Sequence, residues 1–309
     1  ETYLKGKSYR YEESPKSMAL ARDYFEEAIR KDPNYAAAFA GLAESYMLLG
    51  LSSVLPRDEA AANALKAAQK ALELDGNLSE GHVSLGVVKM VFDWDWRGAE
   101  AELKKAISLN PNNFDAFHEY GWLLLRTYRY EEAEHAFIRS QEIDPLNPLI
   151  WRELFIFYLC SEKKDKAEGI KKQLQGIRPD WAEYGDERSY SVEKANEDIQ
   201  AQGRSPRLIA NLAIAFFRAG NSEESSKLVE ELNSLNKKGY EGYIDYCLAD
   251  LFYELGEKDK ALTWLERAVE EKFPGLVNLS LRNLGRGRWF DSLQGEPRFQ
   301  VLLKRVGLR

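Results

Sequence analysis

The chain has 309 residues, of which 44% are apolar and 30% are charged, and its net charge is −7 at pH 7. This composition supports a buried core and excludes bulk disorder. No apolar run approaches the ~18 residues of a membrane-spanning helix, and no long Lys/Arg block points to nucleic acid. We expect no secretory leader. The two distant cysteines, Cys160 and Cys247, predict free thiols in a reducing, cytoplasmic setting.

Joints of similar character recur along the chain. They lie at Pro33 ("KDPNY"), Gly76 ("LDGNL"), Pro111 ("LNPNN"), Pro145 ("IDPLN") and Pro179 ("IRPDW"). Each follows an amphipathic run that ends in an apolar residue and then Asp, Asn or Arg. The last three joints are 34 residues apart. Such a period indicates a stack of supersecondary units.

Between joints, each unit is predicted to form two helices. In residues 112–145, apolar and small residues spaced by three and four mark one face of each helix. Neither helix pair can bury its apolar face alone, so neighbours must stack. A small residue recurs in the first helix at Gly6, Ala43, Gly86, Gly121, Ala213 and Ala249, with Phe155 as a departure. Another recurs in the second helix at Ala21, Ala64, Ala99, Ala133, Ala167, Ser225 and Ala261.

This pattern resembles the tetratricopeptide repeat (TPR), a helix–turn–helix unit of 34 residues with small residues where its two helices cross. The resemblance implies an all-α fold, an α-solenoid (a right-handed superhelix) of about seven repeats. We divide the chain into an N-terminal stack (1–181), a degenerate repeat or connector (182–205), a C-terminal stack (206–273) and a C-terminal cap (274–309). The cap is predicted to end in a helix opened by Pro297.

Several longer phrases resemble one group of TPR domains. These are "YLKGKSY" (3–9), "NYAAAFAGLAESYMLLG" (34–50), "FDWDWRGAEAELKKAISLNP" (92–111), "EIDPLNP" (142–148) and "WFDSLQGEPRFQVLLKRVGL" (289–308). They are similar to the C-terminal repeats of bacterial multidomain signalling proteins, which follow a TolB-like segment and an effector such as a winged-helix domain, a cyclase or a Ser/Thr kinase. The resemblance implies a sensory or partner-binding module.

The sequence offers no constellation typical of catalysis or of a cofactor. The three histidines, His82, His118 and His135, form no metal-ligand spacing. The stretch "RNLGRGRW" (282–289) lacks the third glycine of a dinucleotide loop. No nucleophile elbow or phosphate loop is present. We therefore expect a non-catalytic protein without metal or cofactor, whose function depends on a surface.

That surface is predicted from the TPR resemblance, in which first helices line a concave groove. The groove side is predicted to hold Glu44, Met47, Val87, Met90, His118, Trp122, Leu125, Arg152, Ile156, Phe217, Tyr246 and Tyr253. Aromatic residues, Met and Arg are typical of recognition surfaces. The Lys/Asn/Arg clamp that some TPR domains use for a partner's carboxylate is absent. An apolar partner segment therefore fits better than an acidic C-terminal tail.

Three alternatives stay open at this point. Many groove residues could be buried between neighbouring repeats. The exposed apolar positions could instead form a patch for self-association into a homo-oligomer. The stretch "DWDW" could supply Asp93 and Asp95 as the acid pair of a carbohydrate enzyme, although residues two apart cannot easily frame a scissile bond between carboxyls ~5–9 Å apart.

We favour a structural interpretation of "DWDW". The step from Gly86 to Ala99 is one residue longer than in the next unit, so this stretch is the turn within a repeat. Asp95 is predicted to cap the second helix. Trp94 and Trp96 are predicted to pack against the repeats on either side of the turn.

Overall fold

A computed structural model describes residues 1–9, 14–178, 191–235, 239–278 and 292–308. These residues form α-helices joined by short turns, with no β-strand among them. None of the described helices is long and apolar enough to cross a membrane. The helices are α1 Thr2–Tyr9, α2 Pro15–Lys31, α3 Ala36–Leu51, α4 Arg57–Leu74, α5 Ser79–Val88, α6 Trp96–Leu109, α7 Phe114–Arg126, α8 Tyr130–Ile143, α9 Pro148–Cys160, α10 Lys164–Ile177, α11 Val192–Gln202, α12 Pro206–Arg218, α13 Ser222–Ser234, α14 Glu241–Glu254, α15 Lys258–Glu270 and α16 Pro297–Arg305.

Consecutive helices of the described chain pack together as seven pairs. Five pairs run from α1 to α10, and two more are α12 with α13 and α14 with α15. The predicted all-α repeat fold is therefore confirmed. The chain divides into two compact units, one of residues 1–183, 277–282 and 307–309 and one of residues 184–276 and 283–306. The predicted joint at Pro179 and the predicted boundary at residue 181 lie outside the described residues.

Three of the joints between pairs, at Asp32, Asp75 and Asn110, have the same hydrogen-bonding pattern. A helix ends at an extended Asp or Asn, whose side chain then accepts a hydrogen bond from the backbone N–H two residues on. The distances are 3.0 Å from Asn34 N to Asp32, 2.9 Å from Asn77 N to Asp75 and 3.1 Å from Asn112 N to Asn110. The second helix of a pair ends at this residue because the local bond stabilises a turn there. Asp or Asn followed by Pro or Gly therefore indicates a helix end.

The small residues of the first helices are explained by the closeness of the second helix. A Cβ on Gly121 would lie 2.8 Å from the ring of Phe137 in α8. A Cβ on Gly86 would lie 3.0 Å from Leu103 and 3.2 Å from the carbonyl oxygen of Ala99 in α6. The contact at Gly121 is shorter than carbon atoms tolerate, and those at Gly86 would force neighbouring atoms to shift, so glycine allows the two helices to approach closely at both positions.

The turns inside the pairs share one left-handed residue. In the first unit it is Ser53, Trp94, Tyr128 or Glu162, each with φ between +56° and +63°. In the second unit Gly220 and Gly256 occupy equivalent turns with φ of +82° and +80°. Glycine adopts this conformation without the steric cost that a Cβ imposes.

The "DWDW" turn accommodates its extra residue by widening the end of the first helix. Residues Lys89–Asp93 form a π-helical turn that continues α5. Trp94 then takes the left-handed conformation, and α6 begins at Trp96. The Asp95 side chain accepts a hydrogen bond of 2.9 Å from the backbone N–H of Gly98. Asp95 thus satisfies one of the unpaired N–H groups that begin a helix.

We expect Asp95→Ala to lower the free energy of unfolding by about 1 kcal/mol, because an N–H group at the start of α6 loses its acceptor. Asp95→Asn keeps a side-chain acceptor and should cost much less. Thermal unfolding followed by circular dichroism measures both. The control is Asp93→Ala, an exposed aspartate two residues earlier that does not cap α6. Equal losses for Asp93→Ala and Asp95→Ala would contradict the cap.

The second unit ends in the predicted C-terminal helix. Phe299, Leu302 and Leu303 on α16 are each 1% exposed, while Lys304 and Arg305 face solvent. Arg298 forms two hydrogen bonds of 2.8 and 2.9 Å with the Glu266 carboxylate of α15. The apolar stripe of α16 therefore covers the end of the last repeat, as a terminal repeat requires.

Candidate functional site

One cavity in the first unit is built from the first helices of four consecutive pairs. Its volume is about 170 Å³. Each residue that lines it belongs to α3, to α5 with its π-helical continuation, to α7 or to α9. The lining consists of Glu44, Met47, Leu48, Leu51, Val87, Met90, Val91, Asp115, His118, Glu119, Trp122, Arg126, Leu149, Arg152 and Glu153.

The cavity brings together most of the groove residues predicted for the first unit. These are Glu44, Met47, Val87, Met90, His118, Trp122 and Arg152. Two predicted residues do not line it: Leu125 is 1% exposed and Ile156 is 4% exposed, and both belong to the core. Each first helix contacts its own partner helix and also the neighbouring pair. Some residues at the spacing predicted for the groove therefore face the neighbouring pair instead of the cavity.

Glu153 is the most deeply buried charge of the cavity, at 2% exposure. Its Oε1 accepts hydrogen bonds from Arg152, at 3.2 Å from Nε and 2.7 Å from Nη2. Its Oε2 is buried and accepts no hydrogen bond from the described chain. Burial acts to raise the pKa of Glu153, but the charges of Arg152 and His118 outweigh it, so the pKa is lowered. Glu153 is therefore an ionised carboxylate with one oxygen left unsatisfied.

His118 lies between two carboxylates. Its Nδ1 is 3.2 Å from Glu119 Oε1, and its Nε2 is 4.0 Å from Glu153 Oε1. Burial acts to lower the pKa of His118, but both carboxylates outweigh it and raise the pKa to about 10. The indole N–H of Trp122 opposes this, because it lies 3.2 Å from Nε2 and donates only to an unprotonated nitrogen. The carboxylates and the indole therefore favour opposite protonation states of this imidazole.

Arg126 covers Trp122 from the next turn of α7. Its guanidinium carbon lies 4.9 Å from the Trp122 ring centroid, a cation–π geometry. Its Nη1 also contacts the sulfur of Met90 at 3.4 Å. Burial lowers the pKa of Arg126 to about 10, even though Glu119 and Glu153 favour its charge. Arg126 remains charged at neutral pH and fixes the orientation of the indole.

Several lining residues were absent from the sequence-based selection. Asp115, Glu119 and Arg126 share one face of α7 with His118 and Trp122, at steps of three and four. That spacing indicates, from the sequence alone, that these side chains share one side of the helix. Glu153 had no such signal, because it follows Arg152 directly and consecutive helical residues point about 100° apart. Only the packing of α7 against α9 shows that both side chains reach the cavity.

The three groove residues predicted in the second unit each have a different environment. Phe217 is 38% exposed at the end of α12. Tyr246 packs against Phe273, with ring centroids 5.2 Å apart. The Tyr253 hydroxyl lies 2.8 Å from the Ser292 hydroxyl. These three residues lie in separate environments, so we build the candidate site from the first unit alone.

The acidic residues of "DWDW" are not among the described residues that line the cavity. The Asp95 carboxylate is engaged in a helix cap, and Asp93 lies in the π-helical turn. Within the described ranges, no group of three or more His, Cys, Asp or Glu residues is placed to hold a metal ion. The cavity combines apolar walls with four carboxylates, two guanidinium groups and one imidazole. Such a lining recognises charge and shape in a bound group.

Comparison with known proteins gives partial matches. Residues 102–135 and 210–276 each match a family model described as tetratricopeptide repeat. The transcriptional regulator HilA of Salmonella typhimurium is 27% identical over 143 residues, which are 46% of this chain and 26% of HilA. The chain thus covers only about a quarter of the length of that relative.

Solved structures with the same helix-pair architecture are more distant. TTC0263 of Thermus thermophilus, a thermophilic TPR protein, is 18% identical, with a TM-score of 0.45 over 53% of this chain and 84% of its own. Yeast Tom70 is 17% identical, with a TM-score of 0.45 over 99% of this chain and 66% of its own. The family matches fall on α6 to α8 and on α12 to the turn after α15, which are helix pairs of the repeat described above. Residues 102–135 and 210–276 therefore belong to tetratricopeptide repeats.

Proposed function

We propose that the chain is a non-catalytic scaffold that binds a segment of a partner protein on the surface formed by α3, α5, α7 and α9. The repeat fold supports a protein–protein interaction role. The observation that carries the finer proposal is the cavity, because each described residue of its lining comes from the first helices of consecutive pairs. These helices present Trp122, Met47 and Val87 beside charged groups, a composition typical of recognition sites.

We further propose that binding serves regulation in a bacterial signalling protein of the cytoplasm. A relative that is 27% identical over part of the chain is named a transcriptional regulator, which supports a regulatory setting. Cys160 and Cys247 are both buried and form no disulfide, which suits a reducing compartment. The carboxylates of the cavity outnumber its guanidinium groups, so an acidic C-terminal tail is a poor occupant.

A peptide array tests the binding surface. The whole chain is applied to arrayed peptides of systematically varied composition, and wild type is compared with Trp122→Ala. We expect Trp122→Ala to weaken binding at least about tenfold, because interface tryptophans dominate binding energy. The matched control is Trp151→Ala, a half-buried tryptophan of α9 that lies outside the cavity lining. Binding that Trp122→Ala leaves intact, or that both variants reduce equally, would refute the assignment.

A further inference from the structure

We infer that the cavity binds a primary ammonium or guanidinium group carried on a short apolar stem, with Glu153 Oε2 as the acceptor of its N–H bonds. The stem can belong to a Lys or Arg side chain of a partner segment or to a free organic amine. This inference deepens the proposed function, since it states which chemistry the cavity selects.

The unsatisfied oxygen of Glu153 is the first observation. The carboxylate is 2% exposed and lines the cavity, and Arg152 bonds only its other oxygen. An ionised oxygen buried without a donor is costly, more so than a neutral one. A group with N–H donors that enters the cavity can bond to this oxygen and remove the free-energy cost. A ligand without N–H donors leaves the oxygen unsatisfied.

The charge of the lining is the second observation. The described part of the lining holds more carboxylates than guanidinium groups, and Glu119 and Glu153 lie on either side of His118. A cation is therefore favoured over an anion at this end of the cavity. An anion would be repelled by the carboxylates of Glu119 and Glu153. A neutral donor would bond to Glu153 Oε2 but would not offset the negative charge of these carboxylates.

The volume and the walls define the rest of the ligand. The cavity, at about 170 Å³, is well below the roughly 300–1,000 Å³ of sites for drug-sized molecules. It therefore accommodates a group the size of one long side chain. Met47, Leu51 and Val87 give the walls their apolar part, against which methylene groups of the stem pack.

Small probes of one stem length test the inference without any partner protein. We titrate the whole chain with n-butylammonium, n-butylguanidinium, 1-butanol and n-butyrate by calorimetry, and follow the indole N–H resonance of Trp122 to locate binding. Both cations should bind at least about tenfold more tightly than the alcohol and the carboxylate, the ratio expected from one charge-assisted hydrogen bond. Equal binding of 1-butanol, or no binding of either cation, would overturn the inference.

A variant pair locates the acceptor. Glu153→Gln keeps the size of the side chain and removes its charge, and should weaken both cations by roughly tenfold to a hundredfold. The matched control is Glu134→Gln, which removes a glutamate of α8 that pairs with Lys163 and Lys166 outside the cavity. Unchanged cation binding in Glu153→Gln would also overturn the inference. The wild-type comparison of cations with 1-butanol does not depend on how well Glu153→Gln folds.

The source of the cation is distinguished with the arrayed peptides. In peptides whose binding requires Trp122, each Arg is replaced by citrulline and each Lys by norleucine, which nearly keep the shape and lose the charge. A loss of binding identifies a side chain of a partner segment. If neither replacement weakens binding and the small cations do not bind, the inference falls and the proposed function stands. If the small cations bind but no peptide does, the proposed function falls and the free amine is the ligand.

Discussion

Replacing Phe137 by alanine is expected to cost about 3–5 kcal/mol of the local free energy of unfolding. The side chain is 0% exposed and joins three helices. Its ring occupies the space that Gly121 leaves on α7, meets the edge of Trp122 at 5.9 Å and packs against Phe157 of α9 at 5.7 Å. The void left by alanine cannot close, because the partners sit on two other helices, α7 and α9.

Native-state hydrogen exchange is the appropriate measurement, since each repeat is stabilised mainly by its neighbours and loses structure locally. The amides of α7, α8 and α9 should lose protection together. The control is Phe217→Ala, the same substitution at a position that is 38% exposed, which should cost much less. A loss below about 1 kcal/mol for Phe137→Ala would show that the three helices repack without this ring.

Replacing Arg152 by alanine is expected to cost about 3 kcal/mol at pH 7, because Glu153 then keeps a buried charge without its closest partner. His118 still faces Glu153 at 4.0 Å, so the expected loss lies at the low end of the range for broken buried pairs. Replacing both Arg152 and Glu153 by methionine should be less costly, since the buried carboxylate is removed together with its guanidinium partner.

The loss in Arg152→Ala should depend on pH in a defined direction. In the wild type the pKa of Glu153 is lowered, so its contribution to stability is present above the pKa of the unfolded chain and is lost as the pH falls. Without Arg152, burial opposes only the effect of His118, so we expect the pKa of Glu153 to rise. The deficit of the variant should therefore shrink between pH 7 and pH 5, as Glu153 takes up a proton.

Urea unfolding at several pH values measures this deficit. Arg139→Ala is the control, because Arg139 is 42% exposed and pairs with Glu142 one turn away on the surface of α8. Its loss should stay within about 0.5 kcal/mol at every pH. A deficit of Arg152→Ala that is independent of pH would mean that lost packing, rather than the unpaired carboxylate, causes it.

The repeat architecture could be predicted from the sequence because its determinants are local. The joints depend on an Asp or Asn that bonds a backbone N–H two residues on, and Asp32 and Asn110 both do so. The crossing points depend on residues without bulk, such as Gly86 and Gly121. Each signal acts within a few residues or within one helix pair, so a single sequence carries it.

The candidate site was only partly predictable. The steps along α7 correctly indicated that His118 and Trp122 share a face, and the same steps placed Leu125 in the groove, although it is 1% exposed. Each helix contacts its own partner and also the neighbouring pairs. The face of a helix that remains open depends on all of these contacts together. Helical spacing alone does not predict it.

The sequence by itself determined the all-α repeat, its joints and the turn at "DWDW" with Asp95 at the start of a helix, because hydrogen bonds and steric contacts close in the chain decide these features. Only the tertiary structure decided that an arginine and a glutamate adjacent on α9 both reach a cavity with α3, α5 and α7. It also decided that the extra residue of the turn widens α5 into a π-helix. The physical reason is that the environment of Glu153 is set by packing between helices far apart in sequence, which brings the carboxylate out of water and leaves one of its oxygens without a donor.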